Sequence, residues 1–154
     1  MKAALLSLLL AAAGGRVTIG VYGDWGAFRD AVPARCFAIA RPVAAGGREG
    51  GFASVATWPA RRLRASLYVR LSRVRDRSAP VTLSIGERRF ALAAADRDAW
   101  ATDAPSDRAI VDAMRSGRSL SVEGVAAGGA PFADVYALAG AATAIDAATL
   151  ACAR

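Results

Sequence analysis

The residues best suited to chemistry are arginines gathered near the middle of the sequence, where only Asp76 and Glu87 offset their charge. Arginine makes two-pronged contacts with phosphate and carboxylate groups. The spacing therefore predicts a candidate anion-binding patch, and a solvated, solubilising face is the simpler alternative. The patch would consist of Arg61, Arg62, Arg64, Arg70, Arg73, Arg75, Arg77, Arg88 and Arg89.

The second chemical feature is the pair of cysteines, Cys36 and Cys152. In an exported chain, two cysteines predict a disulfide. The sequence has no histidine, and two thiolates alone do not complete a zinc site. We therefore predict a disulfide, no metal site and no cofactor. Chain-entropy arguments give such a bridge at most about 4–5 kcal/mol of stabilisation.

The absence of histidine also limits catalysis, because it removes Ser-His-Asp and Cys-His arrangements. No P-loop and no Gly-x-Gly-x-x-Gly stretch is present. Asp96, Asp98 and Asp103 form a loose acidic group, which we interpret as a solvated loop because calcium loops carry denser oxygen ligands. We predict that the protein is not an enzyme. The alternative is an envelope hydrolase whose distant carboxylates converge in the fold.

The N-terminus has the layout of a signal peptide. Met1-Lys2 is followed by an apolar run to Leu10 and by small residues at Ala11 to Ala13. This predicts a signal peptide over residues 1–13 and a single β-rich domain over residues 14–154. The apolar run is shorter than a membrane-spanning helix, and no later segment is long and apolar enough to span a membrane. The predicted location is periplasmic, with the cell surface or secretion as alternatives, so nucleic acid is not expected as a partner.

The sequence pattern predicts mostly β-strands, and these must position the arginines and cysteines. In the segment from Ser66 to Ser72, apolar and polar residues alternate, which predicts a half-buried strand. The same period predicts a hairpin of residues 81–85 and 90–94, with either a Gly86-Glu87 turn or a four-residue loop. Further strands are expected at residues 17–22, 36–40, 52–58, 120–123 and 132–138, and residues 44–51 read as a loop.

Two helices complete the predicted fold. Ser106 is expected to cap a helix over residues 107–116, which Gly117 ends. The alanine-rich end, residues 141–152, predicts a C-terminal helix that carries Cys152. Many strands with two short helices indicate a mainly β fold, an antiparallel β-sandwich or barrel. Trp25, Trp58 and Trp100 are expected in the core or at its rim.

Several segments, taken in order, resemble the invasion-associated locus B family of exported α-proteobacterial proteins. Their residues are distributed over nearly the whole mature chain. They are Gly23-Asp24-Trp25, Cys36-Phe37-Ala38 running to Pro42, Ser54 to Pro59, Ala99-Trp100, Ile110 to Gly117, Tyr136 to Gly140, and the alanine-rich end with Cys152.

This resemblance implies a non-catalytic periplasmic or cell-surface β-domain, because the family has no agreed catalytic residues to carry over. Members are linked with entry into host cells. The resemblance therefore implies an envelope or host-interaction role, with an unknown protein or an anionic envelope component as the partner. The chain departs from better-known members in its richness in alanine and arginine and in its charged Arg73 to Arg77 segment.

Overall fold

The computed structural model describes residues 15–48 and 50–153, so the predicted signal peptide lies outside the described residues. The described chain forms a ten-stranded sheet and two α-helices. The strands are β1 Arg16–Tyr22, β2 Trp25–Asp30, β3 Arg35–Ala40, β4 Phe52–Trp58, β5 Leu63–Arg70, β6 Val81–Ile85, β7 Arg88–Ala94, β8 Asp98–Ala101, β9 Ser119–Val125 and β10 Pro131–Ala137. The helices are α1 Ala104–Ser116 and α2 Ala141–Cys152.

All described strand pairs are antiparallel, in the order β1-β2-β3-β4-β5-β8-β7-β6-β9-β10. The predicted mainly β class with two helices is therefore confirmed, as one continuous sheet. Successive side chains on a strand point to opposite faces. One face, called here the inner face, carries the main apolar core and packs against both helices, as the buried positions Val55, Leu67, Ile110 and Ile145 show.

The sheet curls until the end of β10 reaches the turn between β1 and β2. The Trp25 indole Nε1–H donates to the carbonyl of Ala137 at 2.8 Å, and the Asp24 amide donates to the carbonyl of Ala139 at 3.1 Å. Gly140 has a φ of +85° and lies so close to Tyr22 that a Cβ there would be 1.8 Å from the Tyr22 oxygen. Only glycine combines this backbone conformation with this contact.

The predicted disulfide is present between Cys36 and Cys152. Cys36 lies on β3 with its side chain fully buried on the inner face, and Cys152 is the last residue of α2. The bridge therefore attaches the C-terminal helix to the middle of the sheet. This is the arrangement expected from the sequence, and α2 has the predicted bounds.

Three local predictions need correction. Asp103, rather than Ser106, caps α1, because its carboxylate accepts the Ser106 amide at 2.7 Å and the helix begins three residues earlier than expected. β2 was not among the predicted strands, and it pairs with both of its neighbours. β8, which was not predicted, is a short strand whose inner-facing residues are both alanine, Ala99 and Ala101. The hairpin prediction is confirmed in its Gly86-Glu87 form.

Candidate ligand-binding groove

The other face of the sheet, the outer face, carries a groove lined by aromatic side chains from neighbouring strands. We call it the aromatic groove, and it has a volume of about 770 Å³. The register of the strands brings these rings together, because Tyr68 on β5 is directly opposite Trp100 on β8, and Phe37 on β3 is opposite Ala56 on β4. Its rings are those of Phe37, Phe52, Trp58, Tyr68 and Trp100.

Small residues form the floor of the aromatic groove. Ser54 and Ala56 lie on the outer face of β4, and Ser66 lies opposite Ala56 on β5. Although they face outward, Ser54 and Ala56 are buried, because larger rings rise on both sides of them. This alternation of large and small side chains gives a flat sheet face the depth of a groove.

Arginines cover the rings at one end, which we call the Trp58 end. The Arg35 guanidinium lies 4.5 Å from the Phe37 ring centroid and 5.2 Å from that of Trp58. Arg16 lies over Phe37 at 5.0 Å, and Arg61 lies over Trp58 at 5.0 Å. These are cation–π distances. The Trp58 end therefore presents positive charge supported on aromatic faces.

Asp30 holds two of these arginines in place. Its carboxylate accepts from Arg16 Nε at 2.8 Å and from Arg35 Nε at 2.8 Å. The hydrogen bond from Arg16, together with the contact to Arg35, lowers the pKa of Asp30 to about 2. The carboxylate thus stays ionised and fixes the direction of both guanidinium groups.

A second polar cluster lies at the Trp100 end of the groove. The Tyr68 hydroxyl donates to Asp98 Oδ1 at 2.5 Å, and Arg70 Nη1 donates to the same oxygen at 2.6 Å. The hydrogen bonds from Tyr68 and then Arg70 lower the pKa of Asp98, while burial and the Asp98 contact raise the pKa of Tyr68. The cluster fixes the Tyr68 ring beside Trp100.

A neighbouring hollow of about 940 Å³ extends the same face toward β1 and the loop after β3. It shares Ile39 and Phe52 with the aromatic groove, so the two are continuous. Its lining also includes Phe28, whose ring stacks on Phe37 with centroids 5.7 Å apart. The outer face therefore offers an elongated surface rather than a single deep pocket.

The arginines predicted as one patch are divided between two ends of the sheet. The antiparallel ladder through β5, β8 and β7 places the β6–β7 turn toward the start of β5, and the chain after Arg70 at the opposite end. Arg61, Arg62, Arg64, Arg88 and Arg89 thus lie toward one end, and Arg70, Arg73, Arg75 and Arg77 toward the other.

Several of these arginines have structural contacts. Arg75 donates to the carbonyls of Ala79 and Ala94, Arg77 pairs with Asp96 at 2.8 Å, and Arg73 Nε donates to the carbonyl of Gly46. Arg89 is 3.7 Å from Glu123, and Arg88 stacks over Phe90. Of the nine, Arg61 lines the aromatic groove. Anion binding by the whole set stays a prediction.

The groove was not predicted from the sequence, because all three tryptophans were expected in the core or at its rim. Trp25 is fully buried, as expected, whereas Trp100 is 41% exposed and lies with Trp58 on the outer face. The alternation from Ser66 to Ser72 carries a signal, since it places Tyr68 on the strand face opposite Leu67 and Val69. Recognising β8 would have placed Trp100 beside it.

Within residues 15–48 and 50–153, no three cysteine or acidic side chains gather as metal ligands. No helix in these ranges has the length and apolar character needed to cross a membrane.

Comparison with protein-family models finds no match, and none is found among curated protein sequences. Among solved structures, the chain is similar to the crystal structure of invasion associated protein B from Bartonella henselae. The TM-score is 0.66 and the sequence identity 20%, over 90% of this chain and 99% of the other. The resemblance inferred from the sequence segments is therefore confirmed at the level of the fold.

Proposed function

We propose that this chain is a non-catalytic, exported domain that binds a component of the bacterial envelope or of a host surface in its aromatic groove. The observation that carries the proposal is the outer face itself, where Trp58, Tyr68 and Trp100 rise around a floor of small residues. Binding sites are typically concave and aromatic, with a few placed polar groups. An exposed aromatic surface of this kind on a water-soluble domain marks an interaction site.

Export to the periplasm or beyond it is supported by the predicted signal peptide and by the disulfide, which suits an oxidising compartment. A host-interaction role is supported by the shared fold with a protein whose name associates it with invasion. The fold by itself does not carry that role across. The proposed function therefore rests on the aromatic groove.

Catalysis by converging carboxylates has less support from the groove. Asp30 and Asp98, at its two ends, are both paired with arginine and both have a lowered pKa. Burial raises the pKa of Asp107, but this residue is on α1, which packs on the inner face, and its carboxylate accepts the Leu67 amide at 2.7 Å. A general acid at neutral pH needs a carboxyl group whose pKa is raised. The carboxylates of Asp30 and Asp98 are thus better suited to positioning arginines than to proton transfer.

The test is co-sedimentation of the mature domain with envelope fragments of the source bacterium and, separately, with mammalian cell membranes. We expect binding to at least one of the two, and at least a fivefold loss in the double variant Trp58→Ala, Trp100→Ala. Leu150→Ala is the matched control, because Leu150 is an exposed apolar residue on α2. Equal binding by all three proteins would contradict the proposal.

A further inference from the structure

The two tryptophans of the aromatic groove are placed to hold separate parts of one elongated ligand. Tyr68 is opposite both Ser54 on β4 and Trp100 on β8, and Trp58 lies four positions along β4 from Ser54. With standard strand rise and spacing, the two indoles are on the order of 15 Å apart. A single ring cannot bridge this distance, whereas a chain of several rings can.

The polar groups are unevenly distributed along this distance. At the Trp58 end, Arg16, Arg35 and Arg61 are balanced by one carboxylate, that of Asp30. At the Trp100 end, Arg70 and Asp98 neutralise each other. The ligand charge that best complements the groove is therefore negative and lies near Trp58.

Arg61 is the best placed of these arginines to contact a ligand. Its guanidinium stacks on Trp58, and within the described ranges no acceptor side chain or carbonyl engages its N–H groups. By contrast, Asp30 already engages Arg16 and Arg35. A guanidinium oriented by a ring but without an acceptor is prepared to bind a carboxylate in two-pronged geometry.

We propose that the occupant is an acidic oligosaccharide, with its sugar rings stacked on Trp58 and Trp100 and a carboxylate bound by Arg61. This deepens the proposed function and rests on it. Sugar rings present apolar C–H faces to aromatic rings and hydroxyls to polar groups, and the groove offers Ser66 and the Tyr68–Asp98 pair beside its rings. An acyl chain would instead favour a closed, wholly apolar cavity.

The test is calorimetric titration at low salt with a short linear oligomer of galacturonic acid and with its neutral methyl ester. We expect the acid to bind and the ester to bind at least tenfold more weakly. Arg61→Gln should weaken binding of the acid by about tenfold, and Trp100→Ala by a similar factor. Arg108→Gln is the matched control, because this exposed arginine is on α1, which packs on the inner face.

The outcomes separate the ligand class from the function. Equal binding of acid and ester, or equal binding by Arg61→Gln and Arg108→Gln, overturns the acidic-sugar proposal. Binding to phosphatidylglycerol vesicles but not to the oligomer overturns it in favour of a lipid headgroup. If the oligomer does not bind while envelope fragments still bind in a Trp58- and Trp100-dependent manner, the ligand class is wrong and the proposed function stands. If neither the oligomer nor any membrane or envelope fragment binds, both the acidic-sugar proposal and the proposed function are overturned.

Discussion

Asp30 organises the positively charged end of the groove, because it is the shared partner of Arg16 and Arg35. Its side chain is 13% exposed, so water screens the pair only partly. Without it, two guanidinium groups would lie over the same aromatic ring with no carboxylate between them. Its ionisation therefore couples the stability of the fold to the geometry of the groove.

This coupling predicts an acid-sensitive contribution to stability. Because folding lowers the pKa of Asp30 from 3.8 to about 2, the stabilisation is complete above the unfolded pKa and is lost as the pH falls from about 4 toward 2. We expect Asp30→Asn to lower the free energy of unfolding by about 1–2 kcal/mol at pH 7. Denaturant titrations at pH 7 and pH 2 should show the difference shrink.

The control is Asp96→Asn, which removes an ion pair whose two side chains are 58% and 80% exposed. Such exposed pairs contribute roughly 0–1 kcal/mol. If Asp30→Asn lowers the free energy of unfolding no more than Asp96→Asn does, or if its effect is undiminished at pH 2, Asp30 does not act through its ionised form.

At the scale of elements, a buried aspartate attaches two loops to β10. Asp134 is fully buried and accepts hydrogen bonds from the Gly46 amide at 2.9 Å, the Ser72 amide at 2.8 Å and the Ser72 hydroxyl at 2.5 Å. Gly46 belongs to the loop after β3, and Ser72 to the chain after β5. One side chain thus holds the loop after β3, which borders the hollow that continues the groove, against the chain after β5.

We expect Asp134→Asn to lower the free energy of unfolding by about 2–4 kcal/mol, because the amide group opposes a backbone donor with its own N–H. Amide hydrogen exchange at Gly46 and Ser72 should accelerate together. Asp76→Asn is the control, since Asp76 bonds to Ser78 in an exposed turn. Similar effects at both positions would contradict the role of Asp134.

Gly140 joins the start of α2 to the β1–β2 turn. We expect Gly140→Ala to cost about 3 kcal/mol or more, because it strains the backbone and places Cβ against the Tyr22 carbonyl. Gly128→Ala is the control, since a Cβ there meets nothing within 4 Å. Thermal unfolding should separate the two variants by roughly 6–12 °C, and equal melting temperatures would refute the contact.

Strongly periodic elements were predictable from the sequence, and elements that depend on distant partners were not. Val81 to Leu92 alternates clearly, so the β6–β7 hairpin was predictable, with the Gly86-Glu87 turn as one of two options that the structure decided between. β8 is only four residues long, too short for its alternation to identify it as a strand, and it is recognised by its pairing with β5 and β7. The groove depends on this pairing, because it brings Trp100 beside Tyr68. No local pattern contains that information.

For the molecule as a whole, the disulfide connects residues separated by 116 positions. We expect Cys36→Ala and Cys152→Ala each to lower the free energy of unfolding by about 2–4 kcal/mol, and the double variant to lose little more, because each change removes the same bridge. Alanine is preferable to serine, since Cys36 is fully buried and a hydroxyl there would be desolvated.

Denaturant titration without reductant measures these losses, and wild-type protein with reductant is the control. Additive losses in the double variant would mean that the cysteines contribute independently rather than through one bond.

We propose that this protein binds its ligand on the outer face, in the aromatic groove. Its three tryptophans allow a direct test, because the indole N–H of Trp25 is bound to Ala137 in the core while Trp58 and Trp100 line the groove. The decisive measurement is the set of indole N–H signals in a ¹⁵N correlation spectrum during titration with soluble envelope extract. We expect the Trp58 and Trp100 signals to shift while that of Trp25 stays fixed. Binding that leaves the Trp58 and Trp100 signals unmoved would contradict the proposal.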